Sequence, residues 1–380
     1  MEKIKQLERE NSTPLYIQLR DIIKDDILNE KLLPGDKLPD LKSLCRIYDI
    51  GLVTARQAIT ELVNEGLVYR RPWHGTFVNI NAKDTPAFKN RLKTIAFVAP
   101  NVRDLMITGT VYGLERNCRD KGHHLLFCNS ENNYSMERER IEDLIEKKVD
   151  GAVIWLADED GQGNLNEDYI RSIALEKRIP FVLIDKYLPQ VSTDYVVSDN
   201  YYGAYKAVKH FVSLGYTSIV HLTRPTIRNC TSAKERLEGY KQALLDSGLP
   251  YDPENLFIDG ENDWQREIIR LADSRKEPIA CFVAMEFLAV KLMKVITDNG
   301  LSIPKDISII GFDNSILATD LPVPLTTVEQ PWNIMGKTAA EILIDNINNR
   351  TTTLKQIRLQ PRLIIRESCG AKLKAEKQVV

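Results

Sequence analysis

The apolar positions between residues 12 and 80 predict helices first and a hairpin afterwards. In the first predicted helix, which begins after Thr13-Pro14, apolar side chains recur every three or four residues and therefore share one face. These side chains are Leu15, Leu19, Ile22, Ile23 and Ile27. Pro34-Gly35 interrupts the chain, and a short helix after Asp40 repeats the one-sided pattern in Leu41, Leu44, Cys45 and Tyr48. Asp49-Ile50-Gly51 is typical of a turn.

A third predicted helix divides its residues between an apolar and a polar face. The apolar face holds Ala55, Ala58, Ile59, Leu62 and Val63, and the polar face holds Thr54, Arg56, Gln57, Thr60 and Asn64. Gly66 ends this helix, and strands at 67–69 and 76–78 enclose a turn. Two short helices joined by a tight turn and followed by a hairpin predict a winged helix-turn-helix. The second helix of the pair, here called the reader helix, would enter a DNA major groove.

The pattern changes after a polar stretch at 81–92 that contains Pro86 and lacks an apolar period. Short apolar runs now alternate with helical patterns, at residues 95–99, 124–128, 151–156, 181–184, 219–222, 280–284 and 307–312. This alternation predicts an α/β fold of parallel sheets with helices on both faces. Because about 275 residues are many for one such sheet, we expect two lobes.

The predicted organisation has four segments. Residues 1–80 form the winged helix-turn-helix domain, 81–92 a linker, 93–370 the two-lobed α/β domain and 371–380 a C-terminal tail. A length of 380 residues agrees with two or three compact units of roughly 100–200 residues each. The hydrophobic content of 43% and the charged content of 27% are ordinary for a globular protein.

Charge and cysteine usage narrow the class of protein. The net charge is −2 and the first 80 residues are close to neutral, so DNA contact has to come from a local basic patch. The six cysteines are far apart and form no C-x-x-C, which indicates reduced thiols and a cytoplasmic protein. Neither a signal peptide nor an apolar run of about 18 residues is visible, so no membrane association is expected. No cofactor or metal motif stands out, and none is predicted.

The candidate DNA contacts are polar and basic side chains of the helix pair and the hairpin. They are Lys42, Thr54, Arg56, Gln57, Arg70, Arg71 and His74. Arg56 projects from the polar face of the reader helix and can bind guanine or phosphate. Lys42 begins the preceding helix, where backbone N–H groups already favour phosphate. A solvated surface residue is the plainer interpretation of each, and for Trp73 packing is the alternative to DNA binding.

The N-terminal block resembles the GntR-type DNA-binding domain. The matching motifs are Pro14-Leu15-Tyr16, Leu33-Pro34-Gly35-Asp36-Lys37-Leu38-Pro39, Thr54-Ala55-Arg56-Gln57-Ala58-Ile59, Glu65-Gly66-Leu67-Val68 and Gly75-Thr76-Phe77-Val78. The remainder resembles the LacI/GalR sensor domain, which is similar to periplasmic sugar-binding proteins. Its motifs are Val149-Asp150-Gly151, Val182-Leu183-Ile184-Asp185-Lys186, Val197-Ser198-Asp199-Asn200, Arg236-Leu237-Glu238-Gly239-Tyr240, Ile309-Ile310-Gly311-Phe312-Asp313 and Leu325-Thr326-Thr327-Val328. The combination is similar to the arabinose-repressor subgroup.

The candidate ligand contacts combine strand-end residues with positions that the resemblance implies. Asp185 and Asp313 each follow a strand-like run, and ligands of open α/β sheets bind beyond the carboxyl ends of strands. Arg236, placed at a helix start, can donate two hydrogen bonds. Trp264 and Trp332 serve either as core residues or, as the resemblance implies, as aromatic surfaces for a sugar. Asn101, Asp104 and Lys186 complete the set.

These features predict a DNA-binding transcription regulator, a repressor of carbohydrate-utilisation genes, and not an enzyme. Its expected partners are double-stranded operator DNA, a small sugar effector and a second copy of the chain. A pentose or a 6-deoxyhexose is the expected sugar, although Lys186 leaves a phosphosugar open. As the resemblance implies, the sugar would close the two lobes of a dimer and change its hold on a palindromic operator. The alternatives are a sugar- or phosphosugar-binding protein and an enzyme without a DNA-reading role.

Overall fold

A computed structural model describes residues 7, 13–28, 31–81, 93–158, 165–261, 263–275, 277–349 and 353–373. The chain divides into two compact units, residues 1–92 and 93–380. Of the predicted linker only residue 81, and of the predicted tail only residues 371–373, lie within the described residues; the rest of both segments lies outside them. The described part contains no helix with the length and apolar character that a bilayer span requires.

The first unit has the predicted helices: α1 (Leu15–Leu28), α2 (Leu41–Tyr48) and the reader helix α3 (Leu52–Asn64). Their apolar faces meet in one core, to which the sequence-predicted positions Leu19, Ile23, Ile27, Leu44, Ala55, Ala58, Ile59 and Leu62 all contribute. The Asp40 side chain caps α2 by accepting a 2.7 Å hydrogen bond from the Ser43 backbone N–H. Asp49 ends α2 with a left-handed backbone (φ 51°), which makes the tight turn into α3.

The hairpin that follows, here called the wing, pairs β1 (Val68–Arg71) with β2 (Gly75–Val78). The strands are antiparallel and extend closer to the tip than predicted, so that Arg71 lies opposite Gly75. The tip therefore consists only of Pro72, Trp73 and His74. Lys37 forms a bridge to Phe77, which joins the segment before α2 to the outer side of the wing.

The second unit contains the two predicted lobes, each built on a six-stranded sheet within the described residues. The first-lobe sheet is parallel throughout, in the order β13-β7-β6-β5-β3-β4. Its strands are β3 (Lys93–Ala99), β4 (His123–Asn129), β5 (Gly151–Ile154), β6 (Phe181–Ile184), β7 (Asp194–Ser198) and β13 (Gln356–Leu359). Helices α4 (Leu105–Asp120) and α12 (Trp332–Asn349) cover one face, and α5 (Tyr134–Glu146) and α6 (Glu167–Glu176) cover the other.

The second-lobe sheet has the order β14-β12-β11-β10-β8-β9, with only its edge strand β14 antiparallel to its neighbour β12. Its strands are β8 (Ile219–Thr223), β9 (Leu256–Ile258), β10 (Ile279–Val283), β11 (Ile307–Asp313), β12 (Thr326–Glu329) and β14 (Arg362–Ile364). Helices α7 (Asn200–Ser213) and α8 (Thr231–Leu245) cover one face. On the other face lie α9 (Trp264–Asp273), α10 (Glu286–Asp298) and α11 (Leu317–Asp320).

The chain crosses between the lobes at three places in the described residues. It leaves β7 for α7 near Asp199, β12 for α12 near Gln330, and β13 for β14 near Gln360. Gln360 donates a 3.1 Å hydrogen bond to Asp199, which ties two of the crossings together. Because each lobe has its own core on both sheet faces, the lobes can rotate as rigid bodies about these crossings.

All seven predicted strands of this unit are present, with ends that differ by at most two residues. The pattern did not reveal β7, β9, β12, β13 or β14. Several of these strands are short or polar, and the edge strand β13 exposes every second side chain. All six cysteines are free, as expected, and four of them are buried: Cys118, Cys230, Cys281 and Cys369.

Candidate DNA interface and ligand cavity

A groove of about 870 Å³ lies between the reader helix and the wing of the first unit. Four of the predicted DNA contacts line it: Lys42, Arg56, Arg70 and Arg71. Arg56 projects from the exposed face of α3, opposite the buried Ala55, Ala58 and Ile59. Lys42 lies in the first turn of α2. The groove therefore brings together basic groups from two helices and the hairpin, which the near-neutral composition of this unit does not reveal.

The wing is joined to the reader helix by a side-chain hydrogen bond. Arg70 donates from Nη2 to Thr60 Oγ1 at 3.1 Å, and Thr60 Oγ1 in turn donates to the Arg56 carbonyl at 2.8 Å. Arg71 lies over the rings of Tyr69 and Phe77, with its guanidinium carbon 5.5 and 5.6 Å from the two centroids. Both arginines are thus held in place by contacts that leave them on the exposed side of the wing.

The remaining predicted DNA contacts lie outside the groove lining. Gln57 and His74 are exposed, and Thr54 is half-buried in the first turn of α3. Sequence reasoning did not select Leu52 and Val53, although Val53 is 78% exposed at the N-terminal end of the reader helix. Exposed apolar residues at the start of a reader helix suit contact with thymine methyl groups. The sequence does contain a signal for them, because these two apolar residues interrupt the polar face of an otherwise amphipathic helix.

Of the two roles considered for Trp73, packing is not the one that the structure shows. Its side chain has a relative exposure of 103%, at the tip of the wing.

In the second unit, a cavity of about 210 Å³ lies where the strand ends of the two lobes face each other. In the first-lobe sheet β3 lies between β4 and β5, and in the second-lobe sheet β8 lies between β9 and β10. The strand order therefore reverses at β3 and at β8, and such reversals leave a crevice beyond the carboxyl ends of the strands. Seven predicted ligand contacts line the cavity: Asn101, Asp104, Asp185, Lys186, Arg236, Asp313 and Trp332.

Arg236 occupies the second-lobe wall of this cavity. The prediction placed it at a helix start, but α8 begins five residues earlier at Thr231. Its Nε donates to Asn200 Oδ1 at 2.9 Å, its Nη1 donates to the Ala284 carbonyl, and its Nη2 lies 3.8 Å from Asp313 Oδ1. The guanidinium also packs 3.8 Å from the centre of the Phe312 ring. A buried guanidinium held on several sides can present its remaining N–H groups to a ligand in a fixed direction.

Asp185 and Asp313 are buried on opposite lobes and both have raised pKa values. Burial raises the pKa of Asp313 to about 7, although Arg236 and a 2.7 Å hydrogen bond from Gln330 oppose the increase. Burial likewise raises the pKa of Asp185 to about 6, against the opposing charges of Lys186 and Arg236. Both residues have left-handed backbones, with φ of 112° at Asp313 and 70° at Asp185. Desolvated carboxyl groups on a strained backbone are a frequent mark of a functional site.

The first-lobe wall adds further polar groups. Lys186 forms an ion pair with Asp158, with 3.0 Å between Nζ and Oδ2. Asn132 and Asp158 exchange two hydrogen bonds, which fix the loops after β4 and β5 against each other. Asp104 caps α4, and burial raises the pKa of its carboxyl group. One cation, Lys186, and two further carboxylates, Asp104 and Asp158, therefore line this wall.

The aromatic wall consists of Trp155 and Trp332, whose rings stack with centroids 5.2 Å apart and planes inclined by 17°. The prediction of a ligand contact at Trp264 is wrong. That indole is 2% exposed in the second-lobe core, where it donates to Asp259 and lies beneath Lys291. It is absent from the residues that line the cavity.

Sequence reasoning missed Trp155, Asp158, Arg224, Met285 and Gln330 among the cavity residues. Trp155 and Asp158 follow β5 just as Asp185 follows β6, so the strand-end rule finds them once β5 is ended at Ile154. The predicted strand ran two residues further and absorbed Trp155. Gln330 follows β12, a strand that the pattern did not reveal. The Gln330 Oε1 atom is buried without a hydrogen-bond donor among the described residues.

A cluster beside the cavity connects the lobes. Arg358 on β13 of the first lobe donates to both carboxylate oxygens of Glu235 on α8 of the second lobe, at 2.9 and 2.8 Å. The Tyr187 hydroxyl accepts from Arg358 and donates to Glu235, each at 2.9 Å. Thr231 of α8 also exchanges two 3.2 Å hydrogen bonds with the Tyr187 backbone. We call Tyr187, Thr231, Glu235 and Arg358 the interlobe latch.

Comparison with known proteins agrees with this architecture. The family model of bacterial regulatory proteins of the gntR family matches residues 15–78, and that of the periplasmic binding protein-like domain matches residues 208–369. The arabinose metabolism transcriptional repressor of Geobacillus stearothermophilus is 32% identical over 367 residues, which cover 95% of this chain and 99% of the relative. The chain therefore belongs to the same family of transcriptional repressors as this relative. It is a DNA-binding transcription regulator and not an enzyme, as predicted.

Two further comparisons each cover about three quarters of the regulator. The HTH-type transcriptional repressor PurR of Aliivibrio fischeri is 29% identical over 292 residues, covering 75% of this chain and 83% of the relative. A LacI family transcriptional regulator from Enterococcus faecium, solved with bound ribose, has a TM-score of 0.60 and 26% identity. That alignment covers 73% of the regulator and 98% of the solved chain. The two-lobed fold of the sensor is thus that of the LacI family.

Proposed function

We propose that the regulator represses genes of carbohydrate use. A neutral monosaccharide that binds in the cavity between the lobes controls the affinity of the regulator for operator DNA. The single observation that carries this proposal is the cavity itself. Buried hydrogen-bonding groups from both lobes converge there beside an aromatic wall. Sugars are bound in this way, with hydroxyl groups on fixed polar atoms and C–H faces on aromatic rings.

The size and charge of the cavity support a small neutral ligand. Its volume of about 210 Å³ is below the ~300 Å³ at which pockets for drug-sized ligands begin. Lys186 and Arg236 already face carboxylates, and Asp104 and Asp185 add further negative charge. A phosphosugar would meet these carboxylates, whereas the hydroxyl groups of a pentose or a 6-deoxyhexose can donate to them. Gln330 Oε1 has no hydrogen-bond donor among the described residues, so it can accept a hydrogen bond from another sugar hydroxyl group.

The relatives support the same chemistry. One is named for arabinose metabolism, and the solved neighbour from Enterococcus faecium contains ribose. Both are pentoses, the size class that the cavity favours. For the regulator we therefore propose a pentose first and a 6-deoxyhexose second, bound through Asn101, Asp104, Asp185, Lys186, Arg236, Asp313 and Trp332, with Trp155 and Gln330 added.

On the DNA side, we propose that Arg56, Thr54 and Gln57 contact base edges while Lys42, Arg70, Arg71 and His74 contact the phosphate backbone. Support comes from the groove, which collects four of these side chains, and from the tie between Arg70 and the reader helix. Phosphate contacts fix the register of a protein on DNA, and base contacts supply its specificity. Because its target is the chromosome, we place the regulator in the cytoplasm.

A homodimer is the third part of the proposal. Phe287 and Ile316 are 71% and 69% exposed at the same end of the second lobe. The Glu286 carboxylate accepts a 2.9 Å hydrogen bond from the Ser315 backbone, so the chain segments that carry Phe287 and Ile316 meet next to these two residues. Adjacent exposed apolar side chains of this size are typical of a surface that another copy covers.

We expect Phe287→Asp to convert dimer to monomer, because it would bury a charge within this surface. Sedimentation velocity measures the change, and Asp298→Asn on the exposed end of the same helix is the control. Operator affinity should fall as well, since two linked readers bind more tightly than one. A Phe287→Asp protein that remains dimeric would move the interface elsewhere.

The experiment for the whole proposal is a gel shift on DNA upstream of the regulator's own gene, with and without single monosaccharides. Arabinose, ribose, xylose and fucose are compared with arabinose 5-phosphate. We expect a shifted band that one neutral sugar releases. Release by the phosphosugar alone would contradict the neutral ligand, and a band that no sugar releases would contradict sugar control. A folded protein that shifts no DNA would contradict the operator-binding role of this groove.

A further inference from the structure

The tip of the wing is a tight turn with an unusual residue at its critical position. Arg71 O accepts a 3.0 Å hydrogen bond from the His74 N–H, which closes a four-residue turn around Pro72 and Trp73. The Pro72 carbonyl also lies 2.8 Å from His74 Nδ1. Trp73 has a φ of 67°. Proline at the second position and a positive φ at the third are the pattern of a type II turn, whose third position favours glycine.

Trp73 is therefore costly in two ways. A bulky side chain in the left-handed region is disfavoured relative to glycine, because its Cβ crowds the backbone. Its indole is also completely exposed, so that a large apolar surface remains in water. Neither cost is recovered among the described residues of the first unit, whose core does not include Trp73. An observed backbone outlier of this kind points to a function outside the fold.

The surroundings of Trp73 identify the occupant that covers it. Arg70 and Arg71 precede it on β1, His74 follows it, and the groove that Trp73 lines also contains Arg56 and Lys42. An exposed aromatic ring within a positive patch complements nucleic acid, which offers phosphates around an apolar stack of bases. The Arg70–Thr60 hydrogen bond holds this tip beside the reader helix, so the indole reaches DNA next to the bases that α3 contacts.

We propose that Trp73 is a DNA wedge, whose indole enters the minor groove beside the half-site and packs against a base step. This inference rests on the proposed operator binding and adds a residue and a mode of contact to it. Apolar side chains that insert at a base step partly unstack it and bend the duplex. The step that accepts the indole has to be easily unstacked, as pyrimidine–purine steps are. Trp73 thus adds sequence preference outside the bases that the reader helix contacts.

The test uses the full-length protein and a duplex selected by it from random-sequence DNA. Trp73→Gly is the variant of choice, because glycine adopts the positive φ without strain. We expect its operator affinity to fall about five- to a hundredfold, the range for losing one base–aromatic stack. Its melting temperature should stay equal to that of the wild type or rise. A residue needed for packing would instead lower the melting temperature.

The salt dependence of binding separates the wedge from a charged contact. Trp73→Gly should leave the slope of log affinity against log salt unchanged, since a neutral indole displaces no counterion. Lys42→Ala is the matched control, and its slope should become shallower by about one. A change of slope in Trp73→Gly would mean that the substitution had displaced the neighbouring arginines, and would overturn the wedge.

Two optical signals report on the contact itself. Trp73 is the exposed tryptophan, whereas Trp155, Trp264 and Trp332 are buried, so acrylamide quenches mainly Trp73 and operator DNA should protect it. The fluorescence of a 2-aminopurine base, placed in turn at each flanking base step, should increase at one step when the wild type binds. It should not increase at that step when Trp73→Gly binds. Wild-type affinity in Trp73→Gly would overturn the wedge, as would an altered oligomeric state at unchanged DNA affinity. Failure of the wild type to select any sequence would overturn the proposed operator binding and the wedge with it.

Discussion

Replacing Arg56 with alanine is expected to lower operator affinity by about ten- to a hundredfold, which corresponds to the loss of one bidentate base contact. Arg56 projects from the exposed face of the reader helix into the groove shared with the wing. Its backbone carbonyl accepts a hydrogen bond from the Thr60 hydroxyl group, but its guanidinium is not part of the buried core of the first unit. The loss should therefore be confined to DNA binding.

The matched control for this variant is Arg20→Ala. Arg20 lies on α1, pairs with Asp21 at 2.7 Å, and does not line the groove. Fluorescence anisotropy with the selected duplex measures DNA binding, and calorimetry with the effector sugar measures the sensor. Equal operator affinities for Arg56→Ala and Arg20→Ala would show that the reading face lies elsewhere on α3. Loss of sugar binding in Arg56→Ala would indicate general unfolding.

The substitution Asp313→Asn is expected to weaken the response to sugar strongly while operator binding remains. The carboxylate lies on the second-lobe wall, near Arg236 and bonded to Gln330, where it can accept a sugar hydroxyl. The amide keeps the shape but supplies one fewer acceptor and no charge. Loss of a hydrogen bond to a charged group costs about 1.5–3 kcal/mol, or roughly ten- to a hundredfold in sugar affinity.

The same substitution should make the sugar-free protein more stable above neutral pH. The pKa of Asp313 is about 7 in the folded protein, against about 3.9 in an unfolded chain. A raised pKa means that folding favours the protonated group, so this contribution to stability is full below pH ~4 and is lost as the pH rises through 7. The positive charge of Arg236 lowers the pKa of this carboxyl group, whereas the negative charges of Glu286 and Asp185 raise it.

Thermal unfolding at two pH values tests this expectation. Asp313→Asn should melt a few degrees above the wild type at pH 8 and close to it at pH 4, provided that both remain folded there. Asp298→Asn on the exposed end of α10 controls for the loss of a negative charge. If Asp313→Asn keeps its sugar affinity, the cavity is not the effector site. A lower melting temperature at pH 8 would show that Arg236 outweighs the burial of the carboxylate.

The sequence predicted the framework of both units, because their patterns depend on local rules. The reader helix has a clear apolar face, and the buried strands of a parallel sheet form continuous apolar runs. Asp185 and Asp313 were found because each directly follows such a run. The strand-end rule works wherever the strand itself can be recognised, as it can for β6 and β11.

The remaining features depend on tertiary context that no local pattern carries. Trp264 and Trp332 both begin helices, yet one lies in a core and the other faces the cavity. Only the assembly of two lobes distinguishes them. Gln330 follows β12, a four-residue strand that contains two threonines and lacks a continuous apolar run. The exposure of Trp73 could not be predicted, because a tryptophan side chain is normally buried to a large extent in a folded protein.

The interlobe latch separates what the regulator recognises from how readily it responds. Tyr187 follows Lys186 in the chain, and Glu235 precedes Arg236, so latch and cavity share the same two segments. Yet none of the latch side chains lines the cavity. We therefore expect substitutions at Glu235 or Arg358 to alter the free energy of opening while the groups proposed to bind the sugar stay in place. The sugar concentration at which such a regulator responds can then change during evolution, to suit a habitat, without a change in the sugar that it recognises.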